Sequence, residues 1–99
     1  MAAPSTDDLA GRYDSAEAAY LDRVREGRAS ELTESAIAAA EAAKAWETAA
    51  YARYFETKAK LGETSGAAVH DEISAEKAEL LAELWSDIAD AHRAADRRS

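Results

Sequence analysis

Residues 30–61 read SELTESAIAAAEAAKAWETAAYARYFETKAKL, and this stretch decides the fold. It contains neither glycine nor proline, the two residues that most disfavour a helix interior, while alanine, the strongest helix former, recurs throughout. Ser30 followed by Glu31 is a typical helix start, and Gly62 is typical of a helix end. The stretch therefore predicts one helix over 30–61, a rod of roughly 46 Å at 1.5 Å per residue. Its apolar stripe, which Ile37, Tyr51 and Phe55 widen, consists of Leu32, Ala36, Ala39, Ala43, Trp46, Ala50, Tyr54 and Leu61.

A second helix is predicted upstream of this rod. Ser5 or Thr6 can cap the free backbone N–H groups at its start, and Gly27 supplies the left-handed residue that commonly ends a helix. Between them, apolar residues recur every three or four positions, which indicates a helix over about 6–26. Its apolar stripe consists of Leu9, Tyr13, Ala16, Tyr20 and Val24.

A third helix is predicted downstream, after the only stretch with strong helix-breaker character, residues 62–72. We expect this helix over about 68–97, with its start open between Ser65 and Ser74. Its large apolar residues form a clean stripe, which we expect to face the rest of the protein. The stripe consists of Ile73, Leu80, Leu84, Ile88, Ala91 and Ala95, with Leu81 and Trp85 beside it.

These elements predict an all-α fold of three helices. The second and third helices should form a long antiparallel hairpin, with the shorter N-terminal helix packed on it. The 99 residues are too few for two independent cores, so we predict a single helical domain over 1–99. A compact chain of this length has a radius of gyration of about 13 Å and hence a diameter of roughly 33 Å, which the length of the second helix exceeds. We therefore expect an elongated molecule.

The core of this fold should be thin. Hydrophobic residues make up 47% of the chain, but 27 of them are alanine and only 19 positions carry Leu, Ile, Val, Phe, Tyr or Trp. Burial of a large apolar side chain contributes about 1.5 to 3 kcal/mol, whereas ordering a residue costs on the order of 1.5 kcal/mol. A neighbouring surface would relieve this shortage, so we expect a homo-oligomer or a place in a larger assembly.

The aromatic residues of the second helix are candidates for that contact, because they cannot all point along one narrow stripe. Either the first helix covers them, or they form an interface, where Trp and Tyr are enriched. The same alternatives apply to the edge of the third helix. The candidate interface residues are Trp46, Tyr51, Tyr54, Phe55, Leu81 and Trp85.

The chain is acidic, with a formal net charge of −8 and a pI of about 4.7. This charge argues against direct binding to nucleic acid, which depends on clustered Lys and Arg. Residues 62–92 contain eight carboxylates against one base, Lys77, so most of the excess negative charge lies there. The candidate acidic face consists of Glu72, Glu76, Glu79, Glu83, Asp87 and Asp90.

We find no motif for chemistry in the sequence. The absence of cysteine excludes thiolate catalysis, disulfides and Cys-ligated metals. His70 and His92 lack the Glu three residues upstream that a carboxylate-bridged dimetal site requires, and neither has a local nucleophile. We therefore expect no catalytic, cofactor-binding or metal-binding residue. We also expect no membrane span and no signal peptide, and hence a cytoplasmic protein.

Two segments flank the helix break, Tyr54-Phe55-Glu56-Thr57-Lys58-Ala59 and Ile73-Ser74-Ala75-Glu76-Lys77-Ala78-Glu79. Together they resemble short α-helical proteins of unassigned role that are encoded by tailed phages. The resemblance implies a viral or mobile-element origin, with the virion as an alternative location, and it assigns no functional residue.

The function expected from the sequence is a non-enzymatic protein–protein interaction or assembly role exerted through helix faces. The partner would be a second copy of the chain or a larger assembly, with no direct contact to nucleic acid or membrane. The alternative is an acidic inhibitor that offers its carboxylates to a basic protein surface in place of nucleic acid, in which case added salt would weaken binding steeply.

Overall fold

The structure, a computed structural model, describes residues 4–98. It contains helix α1 over Thr6–Arg25, a short 3-10 turn over Ala29–Glu31, helix α2 over Leu32–Leu61 and helix α3 over Gly66–Arg98. The helices α2 and α3 pack along each other as a hairpin, and α1 packs on that hairpin. The predicted all-α fold of three helices is confirmed.

Serine residues cap the N-terminal ends of α1 and α3. The Ser5 hydroxyl accepts a hydrogen bond from the Asp8 backbone N–H, while the Asp8 carboxylate accepts one from the Ser5 backbone N–H. Ser65 caps α3 through one hydrogen bond, which its hydroxyl accepts from the Ala68 backbone N–H at 3.1 Å. The third helix therefore begins directly after Ser65, the earlier of the two possible starts, and the start predicted at about 68 is two residues late.

The hairpin turn requires a glycine. Gly62, which ends α2, has a φ of 89°, in the left-handed region that side chains with a Cβ rarely adopt. The same holds for Gly27 after α1, with a φ of 71°. The ends of α1 and α2 predicted from these glycines are confirmed.

The molecule is elongated, as the length of α2 predicts. The described part of the chain measures 53 × 25 × 24 Å and has a Cα radius of gyration of 15.9 Å, whereas a compact chain of this size would have about 13 Å. Among the described residues, no helix is both long enough and apolar enough to cross a bilayer.

The inner face of α2 is the predicted one. Its buried apolar residues follow a single stripe along the helix, and they are mostly alanines with two aromatic residues near the C-terminal half. Leu61, at the end of the predicted stripe, is exposed because the helix ends there, beside the turn. The buried apolar residues of this stripe are Ala36, Ala39, Ala43, Trp46, Ala50 and Tyr54.

The inner face predicted for α3 is wrong. Ile73, Leu80 and Leu84 belong to the stripe predicted to face the rest of the protein, but they are among its most exposed large side chains. The helix instead turns an alanine stripe and one indole inward. Because the facing stripe of α2 is also alanine, the two backbones approach closely and leave no room for leucine between them. The buried apolar residues of α3 are Ala68, Ala75, Ala78, Ala82, Trp85 and Ala89.

Aromatic side chains fasten α1 to the hairpin. Tyr13 is 2% exposed, and its ring lies 5.7 Å from the ring of Trp46 in α2. The Trp85 indole N–H of α3 donates a hydrogen bond to the Tyr13 hydroxyl at 2.8 Å, and that hydroxyl donates to Glu17. Tyr20 packs edge-on against Trp85 at 4.9 Å. One aromatic cluster therefore joins all three helices.

Candidate functional site

The most conspicuous surface feature is a row of large aliphatic side chains along α3. Val69, Ile73, Leu80 and Leu84 have exposed fractions of 47%, 62%, 66% and 52%. Their spacings of four, seven and four residues place them on one side of the helix, roughly opposite the buried alanines. We call these four residues the outer face of α3.

The outer face is open because neither of the other helices covers it. Helix α2 packs on the alanine stripe, and α1 reaches α3 through the side chains of Trp85 and His92. From Val69 to Leu84 the outer face extends for about 22 Å, at 1.5 Å per residue. This length matches about four turns of a second helix.

An acidic flank runs along one side of the outer face. It consists of the residues predicted as an acidic face, and the helical spacing puts all of them on the same side of the aliphatic row. The single base of this region, Lys77, lies on the other side. The exposed members of the flank are Glu76, Glu83, Asp87 and Asp90, and the half-buried members are Glu72 and Glu79.

The two half-buried carboxylates of the acidic flank bind tyrosines of α2. The Tyr51 hydroxyl donates a hydrogen bond to Glu79 at 2.6 Å. This bond to a nearby negative charge, together with burial, raises the pKa of Tyr51 to about 12. The hydrogen bond to Glu72 and burial raise the pKa of Tyr54 to about 12 in the same way. These two pairs connect the acidic flank of α3 to α2, whereas Glu76 and Glu83 project into solvent.

We expect the chain to lose stability in alkaline solution. Burial and the hydrogen bond to Glu17 also raise the pKa of Tyr13 to about 12, from an ordinary value of 10.0. A phenol that binds its proton more tightly in the folded state contributes stability in full below pH 10, and this contribution is lost as the pH rises towards 12. Circular dichroism and tyrosinate absorbance, recorded together between these pH values, should show unfolding accompanying ionisation. Ionisation near pH 10 with the helical signal unchanged would contradict these contacts.

The structure divides the predicted interface residues into two groups. Trp46 and Trp85 are 8% and 5% exposed, and Tyr54 is also buried, so a partner cannot reach their rings while the three helices stay packed. The first helix covers the indoles, which was the alternative open from the sequence. Phe55 is 58% exposed, and the rings of Tyr51 and Tyr54 lie 6.1 and 5.3 Å from it. Half-buried Leu81 packs against the core cluster.

A polar cluster near the hairpin turn has no counterpart in the sequence predictions. Asp71 of α3 is buried, accepts a hydrogen bond from the Thr57 hydroxyl at 2.6 Å and pairs with the Arg53 guanidinium at 3.4 Å. The sequence places Asp71 at a spacing consistent with the inner alanine stripe, and this spacing is the signal that could have revealed it. These two contacts from α2 satisfy the buried Asp71 carboxylate and connect α2 to α3 near the turn.

The two histidines lie apart in the structure. The Tyr20 hydroxyl and His92 Nε2 are hydrogen bonded at 2.9 Å, and His70 is exposed. Within residues 4–98, no group of three or more His, Asp or Glu side chains could hold a metal ion.

No protein-family model, curated protein sequence or solved structure gives a significant match to this chain. What the protein does must therefore be inferred from its own surfaces and charges.

Proposed function

We propose that this protein is a non-enzymatic interaction protein that binds another protein through the outer face of α3. The observation that carries the proposal is the exposure of Val69, Ile73, Leu80 and Leu84 along one side of a helix whose opposite side is already packed. The exposed carboxylates of the acidic flank lie beside this row, so a partner on the outer face could contact them too.

The energetics of exposed side chains support the proposal. Single exposed leucines are ordinary, but contiguous apolar patches rimmed by polar residues mark interaction sites. Burial of a large aliphatic side chain contributes about 1.5 to 3 kcal/mol, so covering four of them supplies a substantial driving force for association. The aromatic surface at Phe55 and Tyr51 lies on the neighbouring helix α2 and is a further part of the proposed contact region.

A second candidate function is supported by the acidic flank. Glu76, Glu83, Asp87 and Asp90 are exposed on one side of α3. Asp90 pairs with Arg93 at 3.0 Å, and Lys77 lies on the other side of the aliphatic row. Such a surface suits an inhibitor that occupies a basic protein surface in place of nucleic acid. Binding of this kind would persist without the leucines of the outer face and would weaken steeply with added salt.

Site-specific photo-cross-linking in the cells that encode the chain tests the first proposal. A photo-reactive amino acid is incorporated at Leu80, on the outer face, or at Leu21, an exposed leucine of α1 that serves as the matched control. We expect a discrete protein adduct at position 80 and none at position 21. An adduct of two copies of the chain would identify self-association, which the thin core predicts, and an adduct of different mass would identify another protein.

The substitution pair Leu80→Ser and Leu84→Ser provides the second arm of this experiment. Both side chains are exposed, so the double variant should fold normally, as circular dichroism can verify. In this experiment the photo-reactive amino acid replaces Ile73, also on the outer face. Its protein adduct should disappear when Leu80→Ser and Leu84→Ser are both present. If it persists, or if positions 80 and 21 give the same adducts, the outer face is not the binding surface.

The proposal includes a cellular setting. The cysteine-free chain fits the cytoplasm, and the resemblance to helical proteins of tailed phages extends the proposal to a viral or mobile-element origin and to the virion. The self-association predicted from the thin core remains part of the proposal and is measured by light scattering at several protein concentrations.

A further inference from the structure

We infer that the occupant of the outer face of α3 is an amphipathic helix of another protein that carries Lys or Arg along one edge of its apolar stripe. This inference rests on the proposed function and specifies the chemistry of its partner. The aliphatic row and the acidic flank run side by side along the same part of α3, so one helix laid along the row would meet both.

The geometry of the row suits a helix more than a strand or a loop. The aliphatic side chains form two pairs, Val69 with Ile73 and Leu80 with Leu84, which lie on one side of α3 and are seven residues apart. A partner helix offers matching side chains at i, i+3, i+4 and i+7. The row extends for about 22 Å, which corresponds to roughly 15 residues of the partner helix.

The acidic flank determines which charge a partner helix should carry along the edge that faces it. Glu76 and Glu83 project into solvent beside the row, and Asp87 follows them towards the C-terminus. A partner helix with carboxylates at its adjoining edge would bring like charges together as the interface loses water. Lys or Arg at that edge would instead pair with these carboxylates, as oppositely charged flanks do in helix pairs.

The same pattern disfavours a second copy of this chain as the occupant. In an antiparallel twofold pair of α3 helices, the same patch of each copy meets itself, so the acidic flank of one copy would face the acidic flank of the other. In a parallel pair, the acidic flank would face the side that carries Lys77, the only base available there. Each copy also has a formal net charge of −8, so the copies repel at a distance.

Two synthetic helical peptides of about 20 residues test the inference. Both carry leucine at i, i+3, i+4 and i+7 repeats. The flanking positions are lysine in the first peptide and glutamate in the second, and fluorescence anisotropy measures the binding of each to the full chain. We expect the lysine peptide to bind at least about tenfold more tightly than the glutamate peptide, and to weaken as salt is added.

Three double variants of the chain identify the groups responsible. Leu80→Ser with Leu84→Ser, and separately Glu76→Gln with Glu83→Gln, should each weaken binding of the lysine peptide at least about tenfold, and the second pair should also flatten its salt dependence. Leu21→Ser with Val24→Ser changes two exposed apolar residues of α1 and should bind as the unmodified chain does. Circular dichroism confirms that each variant is folded.

Four other results of these measurements would each contradict the inference, and each points to a different cause. Equal binding of both peptides, lost on substitution of the leucines, would refute a basic partner while leaving the outer face as a binding surface. Binding of the lysine peptide that survives Leu80→Ser and Leu84→Ser would indicate attraction to the carboxylates alone. A dimer of the chain that those two substitutions dissociate would show that a second copy is the occupant. If neither peptide binds, the inference fails, and cross-linking at Leu80 decides the proposed function separately.

Discussion

Replacement of Trp85 by alanine is expected to lower the free energy of unfolding by about 3 to 5 kcal/mol. The indole is 5% exposed, packs against Tyr20 and donates a hydrogen bond to the Tyr13 hydroxyl. The substitution therefore removes a large buried surface and two of the contacts that hold α1 on the hairpin. Because domains of this size are stable by roughly 5 to 15 kcal/mol, the loss is a large fraction of the total.

Urea unfolding followed by circular dichroism measures this loss, and amide hydrogen exchange locates it. We expect the amides of α1 to lose protection first, since α1 depends on the aromatic cluster, while α2 and α3 retain their alanine contacts. The matched control is the neighbouring residue, Leu84→Ala. Leu84 is 52% exposed, so this change should alter stability by no more than about 0.5 kcal/mol. Equal effects at positions 84 and 85 would contradict the observed orientation of α3.

Replacement of Ala43 by leucine is expected to destabilise the chain by about 1 to 3 kcal/mol. Ala43 is 0% exposed and belongs to the core cluster that includes Ala78 and Ala82 of α3. Leucine is nearly as good a helix former as alanine, so the effect reports packing and not helix propensity. Three additional carbon atoms at this position would force the two backbones apart.

Thermal unfolding measures the effect, and a loss of 1 kcal/mol should lower the midpoint by roughly 4 to 8 °C in a domain of this size. Ala52→Leu, an exposed position on the same helix, is the control and should leave the midpoint nearly unchanged. If Ala43→Leu were instead as stable as the unmodified chain, α2 and α3 would not be in close contact at their alanine stripes.

The helices could be predicted from the sequence because their signals are local. Ser5 and Ser65 accept backbone hydrogen bonds a few residues away, and Gly27 and Gly62 supply the backbone conformations that end helices. The inner stripe of α2 could be predicted as well, because Trp46 and Tyr54 lie on the same side of that helix as a row of its alanines.

The orientation of α3 could not be predicted by the same reasoning. Its sequence contains two apolar rows on opposite sides, and the row with larger side chains, through Leu80 and Leu84, gives the stronger hydrophobic signal. The choice between the rows depends on the surface that α2 offers. An alanine stripe on α2 favours the alanine stripe of α3, in which Ala75 and Ala78 are fully buried, since small residues on both sides allow the backbones to approach.

The burial of the two indoles also depends on tertiary contacts. Trp46 and Trp85 are typical interface residues in sequence, but α1 brings Tyr13 and Tyr20 over them. Spacing within α2 or α3 gives no information about where α1 lies. Some of the predicted interface residues therefore lie in the core, whereas the outer face of α3 carries the exposed aliphatic surface.

The orientation of α3 can be tested most directly by thiol labelling, since the chain contains no cysteine of its own. Leu80→Cys and Ala78→Cys place single thiols two residues apart, on the outer and inner sides of the helix. A small thiol-specific reagent should modify Leu80→Cys as fast as it modifies an unfolded peptide, and Ala78→Cys roughly 100-fold more slowly, because that position is exposed only on local opening. Protection at position 80 in dilute solution, with rapid labelling at position 78, would contradict the orientation of α3 and the binding surface inferred from it.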